Sequence, residues 1–305
     1  NVDFGDDNDT TNLGVALQSN ARIGAKVKVS DELTGRFEYG ASGGRANVRL
    51  LYGEWNFGAG KLLVGQDYTP TYLPVSNQVY NTDNGMGGTG EFYGGREAQI
   101  KLTFGGFQIA FVEPANTDVM GADAGEIMIP RIEAAYKMNM DAMNFGIAAG
   151  YQTFDTDEAT NEESVDAYAI VARFGLDMGA FNAGVQAHYG QNVGNLGQGI
   201  GYEADVDPVA YWDGTDIQDS DTYGVELILG FKVNDMFALE AGVGYQQCEW
   251  DEVDDELEVT ALYLQAPITL APGVYVIPEV GYTDEEMGDD EAETTYIGAK
   301  WQINF

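Results

Sequence analysis

The residues best placed to do chemistry are the bases, because they are few and clustered. Six of the 14 fall within the first 49 residues: Arg22, Lys26, Lys28, Arg36, Arg45 and Arg49. On extended chain, alternate side chains point to opposite faces. By that parity each of the six lies on the polar face of its segment, and Arg22, Lys26 and Lys28 alternate with Ala21, Ile23, Ala25, Val27 and Val29. A row of cations on three successive strands is a wall that attracts anions and orients dipolar solutes. Nucleophilic chemistry is poorly provided for. His188 is the only histidine, Cys248 the only cysteine, and no G-x-S-x-G occurs. Acids outnumber bases by 50 to 14, for a net charge of −36, so a nucleic-acid partner is not expected. They crowd into a few polar stretches, among them Asp251, Glu252, Asp254 and Asp255, then Asp284, Glu285, Asp289 and Asp290. These carboxylates are candidates for divalent cations, Ca2+ at external loops in particular, although no stretch has an EF-hand pattern. No other cofactor is implied.

The elements that must position these residues are alternating segments of about ten residues, the length of a tilted strand crossing a bilayer. The last is the clearest: Thr295, Ile297, Ala299, Trp301, Ile303 and Phe305 share one face, and Tyr296, Gly298, Lys300, Gln302 and Asn304 the other. The pattern predicts strands at 19–29, 32–42, 45–57, 61–67, 96–104, 107–114, 127–138, 143–154, 164–176, 180–191, 221–233, 236–250, 257–268, 273–283 and 293–305. A short first strand near Asn1–Gly5 brings the number to sixteen. Segment 257–268 is ambiguous, since both faces carry apolar residues. No run is long enough for a membrane helix. Forty glycines suit many tight turns. The expected fold is all-β: one transmembrane antiparallel barrel over residues 1–305. The acidic, polar start at Asn1 is that expected of a mature exported chain.

Short turns alternate with long acidic connections at 68–95, 115–126, 155–163, 192–220, 251–256 and 284–292. Outer-membrane barrels have short periplasmic turns and long external loops. Phenylalanines such as Phe57, Phe104, Phe107, Phe145, Phe174, Phe181, Phe231 and Phe237 sit beside short turns. Tyrosines such as Tyr39, Tyr151, Tyr168, Tyr189, Tyr223, Tyr245 and Tyr282 sit near the long loops. Two aromatic belts at fixed depths mark two lipid–water boundaries.

The ending Tyr296-Ile297-Gly298-Ala299-Lys300-Trp301-Gln302-Ile303-Asn304-Phe305 resembles the terminal strand of the general diffusion porins of Gram-negative bacteria, sixteen-stranded trimeric barrels. The segment 68–95 stands where that family places a constriction loop, the third external loop, folded into the lumen. Its end, Gly90-Glu91-Phe92-Tyr93-Gly94-Gly95, is similar to the family's Pro-Glu-Phe-Gly-Gly, with Gly90 in place of proline and Tyr93 inserted. The resemblance implies that the basic wall faces loop acids, here Asp83 and Glu91 with Asp67 at the root, across a narrow pore. It also implies a homotrimer in the bacterial outer membrane, in contact with membrane lipid and lipopolysaccharide.

The function expected is a water-filled channel for passive diffusion of ions and small hydrophilic solutes. The alternatives are a substrate-specific channel, a plugged structural or adhesive barrel, and an outer-membrane lipid hydrolase. Against the hydrolase, parity turns His188 to the lumen, away from lipid.

Overall fold

The computed structural model describes residues 11–41, 45–80, 85–121, 125–156, 163–201, 207–251 and 253–305. The chain is antiparallel sheet nearly throughout. In order the strands are β1 (Arg22–Lys28), β2 (Leu33–Gly40), β3 (Asn47–Asn56), β4 (Lys61–Tyr68), β5 (Arg96–Phe104), β6 (Phe107–Val112), β7 (Arg131–Met140), β8 (Met143–Asp155), β9 (Ser164–Asp177) and β10 (Phe181–Gln191). There follow a small outer hairpin, β11 (Tyr211–Trp212) and β12 (Ile217–Gln218), and then β13 (Ser220–Lys232), β14 (Ala238–Trp250), β15 (Leu257–Gln265), β16 (Ile268–Ala271), β17 (Val274–Met287) and β18 (Asp290–Ile303).

All but the small hairpin join one 16-stranded sheet, each strand pairing with its neighbours in sequence. β15 and β16 are two halves of one traverse. Both pair with β17, and Ala266–Pro267 interrupts them. Proline has no N–H for the ladder, which explains the break. Fifteen traverses are therefore described, and they match the fifteen alternating segments read from the sequence. The expected strand near Asn1–Gly5 lies outside the described residues. One stretch differs from expectation. The segment 284–292 is no loop: β17 and β18 stay paired as far as Met287↔Asp290 and close in a tight tip.

Alternation decides which face meets what. On β13, Tyr223, Val225, Leu227, Leu229 and Phe231 are exposed, while Thr222, Gly224, Glu226 and Ile228 are buried. Register then sets apolar residues side by side across the outside, as in Val185↔Leu227, Leu227↔Val243, Val243↔Leu262 and Leu262↔Tyr282. A belt of this extent is not left bare in water and suits hydrocarbon. The same register pairs Phe145↔Phe174 and Phe181↔Phe231 at the short-turn end, and Tyr151↔Tyr168 and Tyr189↔Tyr223 at the other.

Candidate functional site

The connection between β4 and β5 does not stay outside. It enters the lumen, where it has no strand to pair with, so its backbone groups need other partners. Inward side chains of the wall supply them. Glu133 of β7 accepts from Thr71 N at 2.9 Å and Thr71 Oγ1 at 2.8 Å. Gln186 of β10 donates to Leu73 O at 2.8 Å and accepts from Phe92 N at 2.6 Å. Glu240 of β14 accepts from Asn77 N at 3.2 Å and Nδ2 at 2.9 Å. Glu279 of β17 accepts from Val79 N at 2.8 Å and Tyr80 N at 2.9 Å. The outgoing arm thus crosses to β17 and β18, where Tyr80 stacks on Tyr296 with centroids 3.9 Å apart. The returning arm lies along β14, β13 and β10, with Gly90 pressed onto the backbone at Val225.

Behind the loop the lumen is filled. Leu73 and Phe92 pack into an apolar cluster with Ala135, Ala148, Ala169 and Val171 of the wall, and with Val193 and Leu196 of the β10–β13 connection. Arg131 of β7 is fully buried there. It lies 3.1 Å from Glu133 and donates to Leu196 O at 2.7 Å and Gly94 O at 3.3 Å. One guanidinium therefore joins the wall, the root of the loop and the outer connection.

The opposite wall is open and basic. Arg22, Arg36 and Arg49 converge on one carboxylate, Glu38 of β2, at 3.5, 2.8 and 3.0 Å. Three cations against one anion leave a net positive face. A β-bulge between β2 and β3 helps to build it: Glu38 opposes Leu50, but Tyr39 opposes Val48. The extra residue reverses parity, so Arg49 above the bulge and Tyr52 below it both turn from the lipid side. Beside this hub, Tyr68 and Tyr72 stack at 4.4 Å, and Arg96 lies over the rings of Tyr68 and Tyr93 at 5.4 and 5.9 Å. Tyr68 Oη accepts from Arg49 at 3.2 Å. Between this wall and the loop remains a polar cavity of about 510 Å3, lined by Arg22, Arg49, Arg96, Asn77, Gln78 and Lys300 among others.

The predicted residues are only partly brought together. Arg22, Arg36 and Arg49 form the hub. Lys26 and Lys28 lie towards the short-turn end, lining a recess of about 280 Å3 with Arg36, and Lys28 is paired with Asp31 at 2.7 Å. Arg45 is exposed in the β2–β3 connection. Of the expected opposing acids, Glu91 borders the larger cavity together with Arg22, Arg49 and Arg96. Asp67 is tied to Lys101 at 2.7 Å. Glu91, 1% exposed, is turned towards β13, because the returning arm is docked on that side. Asp83 lies outside the described residues. Among the described residues of the acidic rim, the carboxylates of Asp284, Glu286 and Glu291 form one group with oxygens within 4.8 Å of one another. Of the acids proposed for cations, only Asp284 is in that group. Glu285 points to the buried face, Asp251, Asp254, Asp255, Asp289 and Asp290 are exposed outside it, and Glu252 is not described. Sequence reading missed Glu38, Arg96 and the tyrosines. Parity places Glu38 on the face of Arg36, which was the available signal.

No protein-family model matches the chain, and no curated protein matches its sequence. Solved structures do match in fold. The outer membrane channel DcaP of Acinetobacter baumannii superposes with a TM-score of 0.81 at 14% identity, over 99% of this chain and 90% of that one. OmpT, an outer membrane protein of Vibrio cholerae, in its trimer form gives 0.57 at 17% identity, over 91% and 87%. The anion-selective porin from Comamonas acidovorans gives 0.58 at 12% identity, over 95% and 90%. The fold is therefore that of the porin-type outer-membrane barrels.

Proposed function

We propose that this barrel is an outer-membrane porin, a water-filled channel through which ions and small hydrophilic solutes diffuse passively. The observation that carries this reading is the divided lumen. A loop is fixed against one wall by side-chain hydrogen bonds, and a polar cavity of about 510 Å3 remains against the other. A plugged barrel would fill both sides. The apolar belt meets outer-membrane lipid, and the acidic rim stands at the level of lipopolysaccharide. The trimer form of the Vibrio protein supports a homotrimer here. No enzymatic role is assigned: His188 is buried under Phe92, ring centroids 5.5 Å apart, where no lipid substrate reaches it.

Purified protein in planar bilayers is expected to give stepwise conductance, and proteoliposomes to swell in several small sugars and amino acids at rates set by size. The absence of steps would refute a channel. The Arg96–Tyr68–Tyr93 arrangement favours a second reading, a substrate-specific channel. Swelling in a single solute class would establish it.

A further inference from the structure

Glu91 and Glu226 meet in the interior between the constriction loop and β13. Glu226 is fully buried, and neither of its carboxylate oxygens has a conventional partner. Glu91 Oε2 is likewise buried without one. The two carboxyls lie within hydrogen-bonding reach of each other. Two ionised carboxylates are both acceptors, so they can bond only if a proton lies between them.

The surroundings point the same way. From β9, Arg173 is the near cation, yet no salt bridge ties it to either acid, and its Nε is itself unpartnered. From β10 come His188 and the amide of Gln186, and from β14 come Glu240 and the amide of Gln246. From the loop itself, Tyr72 lies close, and the backbone N–H groups of Val75 and Ser76 point at the Glu91 carboxylate. Arg173 alone cannot neutralise two bare carboxylates, to which Glu240 adds a further negative charge. One proton on the pair lowers that buried excess.

We propose that Glu91 and Glu226 share one proton, and that this proton is a latch holding the returning arm of the constriction loop against the barrel wall. The latch joins the two arms, since the backbone at Val75 and Ser76 on the outgoing arm also faces the Glu91 carboxylate on the returning one. Around it the fit is close: a Cβ added at Gly90 would strike Val225 O, and one at Gly244 would strike Thr89 O. A small electrostatic push there has no slack to absorb it.

Burial pushes the Glu91 carboxyl up from 4.5 to about 7, against the opposing pull of Glu226, the two N–H groups and Arg173. A carboxyl raised in the docked state favours docking most below its ordinary value. Two coupled carboxyls lose their protons in two separate steps, and the shared proton is the last to leave. The latch therefore survives the step at about 7 and opens only at the later, higher one. The other anchors, Glu133, Glu240 and Glu279, hold the outgoing arm by hydrogen bonds of their own. The returning arm alone should loosen.

Two measurements on the full-length protein test this. Infrared spectra at pH 6 should show a neutral carboxyl C=O stretch in the wild type, weakened in both Glu226→Gln and Glu91→Gln. In single-channel records, open-state flicker should stay low through pH 7 and rise only at higher pH, where the last proton leaves the pair. Glu226→Gln, which supplies a permanent N–H donor, should make it independent of pH. A spectrum unchanged by both substitutions would overturn the latch, as would Glu226→Gln retaining the wild-type pH response. A metal ion between the carboxylates would leave both ionised, giving no such band, and equally overturns it. The proposal builds on the porin reading only for the electrical readout. If the protein conducts nothing, the channel fails while the infrared result still decides the proton.

Discussion

β1 and β15 belong to one sheet and could hardly be less alike on their inner faces. All seven residues of β1 are exposed, bases included. On β15 the inward Leu257, Val259, Ala261, Tyr263 and Gln265 are all buried. The difference arises from what lies in front of them. The side from β7 to β15 is backed by the constriction loop and the outer connections, which pack four apolar clusters against it. The side from β1 to β5 faces the cavity, which Glu240, Gln265 and Lys300 of later strands also border. One part of the lumen is thus packed like a protein core and the other is an open polar wall. Equivalent substitutions should therefore cost different amounts on the two sides.

The largest contrast is between two arginines. Arg131→Ala removes the buried partner of Glu133 and two carbonyl contacts, a loss of about 3–5 kcal/mol. Arg22→Ala removes one half-exposed partner of Glu38 and should cost about 0.2–1 kcal/mol. Gel mobility of unboiled samples after stepwise heating gives the comparison: folded barrel should disappear at clearly lower temperature for Arg131→Ala alone. Equal shifts would mean that the two halves are equally packed.

A smaller contrast uses glycines on the inward faces. A Cβ at Gly244 runs into the loop backbone at Thr89, so Gly244→Ala should cost about 1–3 kcal/mol and displace the returning arm. Gly298 on β18 has nothing within 4 Å, and Gly298→Ala should stay within about 0.5 kcal/mol. Denaturant midpoints for the pair, with conductance for Gly244→Ala, would show whether the loop side is as tight as it looks.

This asymmetry explains what could be read from the sequence. Alternation fixes the lipid side, because hydrocarbon imposes one rule on every strand. The inner side follows no single rule. Segment 257–268 was ambiguous because its inward Leu257 and Val259 are apolar, and they are apolar because Ile200 and Trp250 cover them. Parity alone puts Arg22 and Arg36 on the inner face. The positions of the loop acids are not legible that way. Their placement depends on the path of the loop, and that path is set by Glu133, Gln186, Glu240 and Glu279, residues far away in sequence that look like ordinary lumen polars. Nor could parity foresee the bulge that turns both Arg49 and Tyr52 inward.

Ion selectivity is the finest test, because two fields compete over a short distance. Asp251, Asp254, Asp255, Asp284, Glu286 and Glu291 are at the long-loop end and enrich cations there. The hub of Arg22, Arg36 and Arg49 favours anions in the channel, less the one charge of Glu38. At 0.01 M salt the screening length is about 30 Å, and the rim acts on the channel. At 1 M it is about 3 Å, and only the local wall remains. Reversal potentials should therefore show cation preference in dilute salt that weakens as salt rises. Neutralising the rim acids should reduce the dilute-salt preference and leave the concentrated-salt value nearly unchanged. Glu38→Gln should act differently: it strips the hub of its single anion and should shift selectivity towards anions at every salt concentration. If the rim variant keeps its dilute-salt selectivity, the field that draws cations arises within the lumen, and carboxylates such as Glu97 and Glu240 become its source.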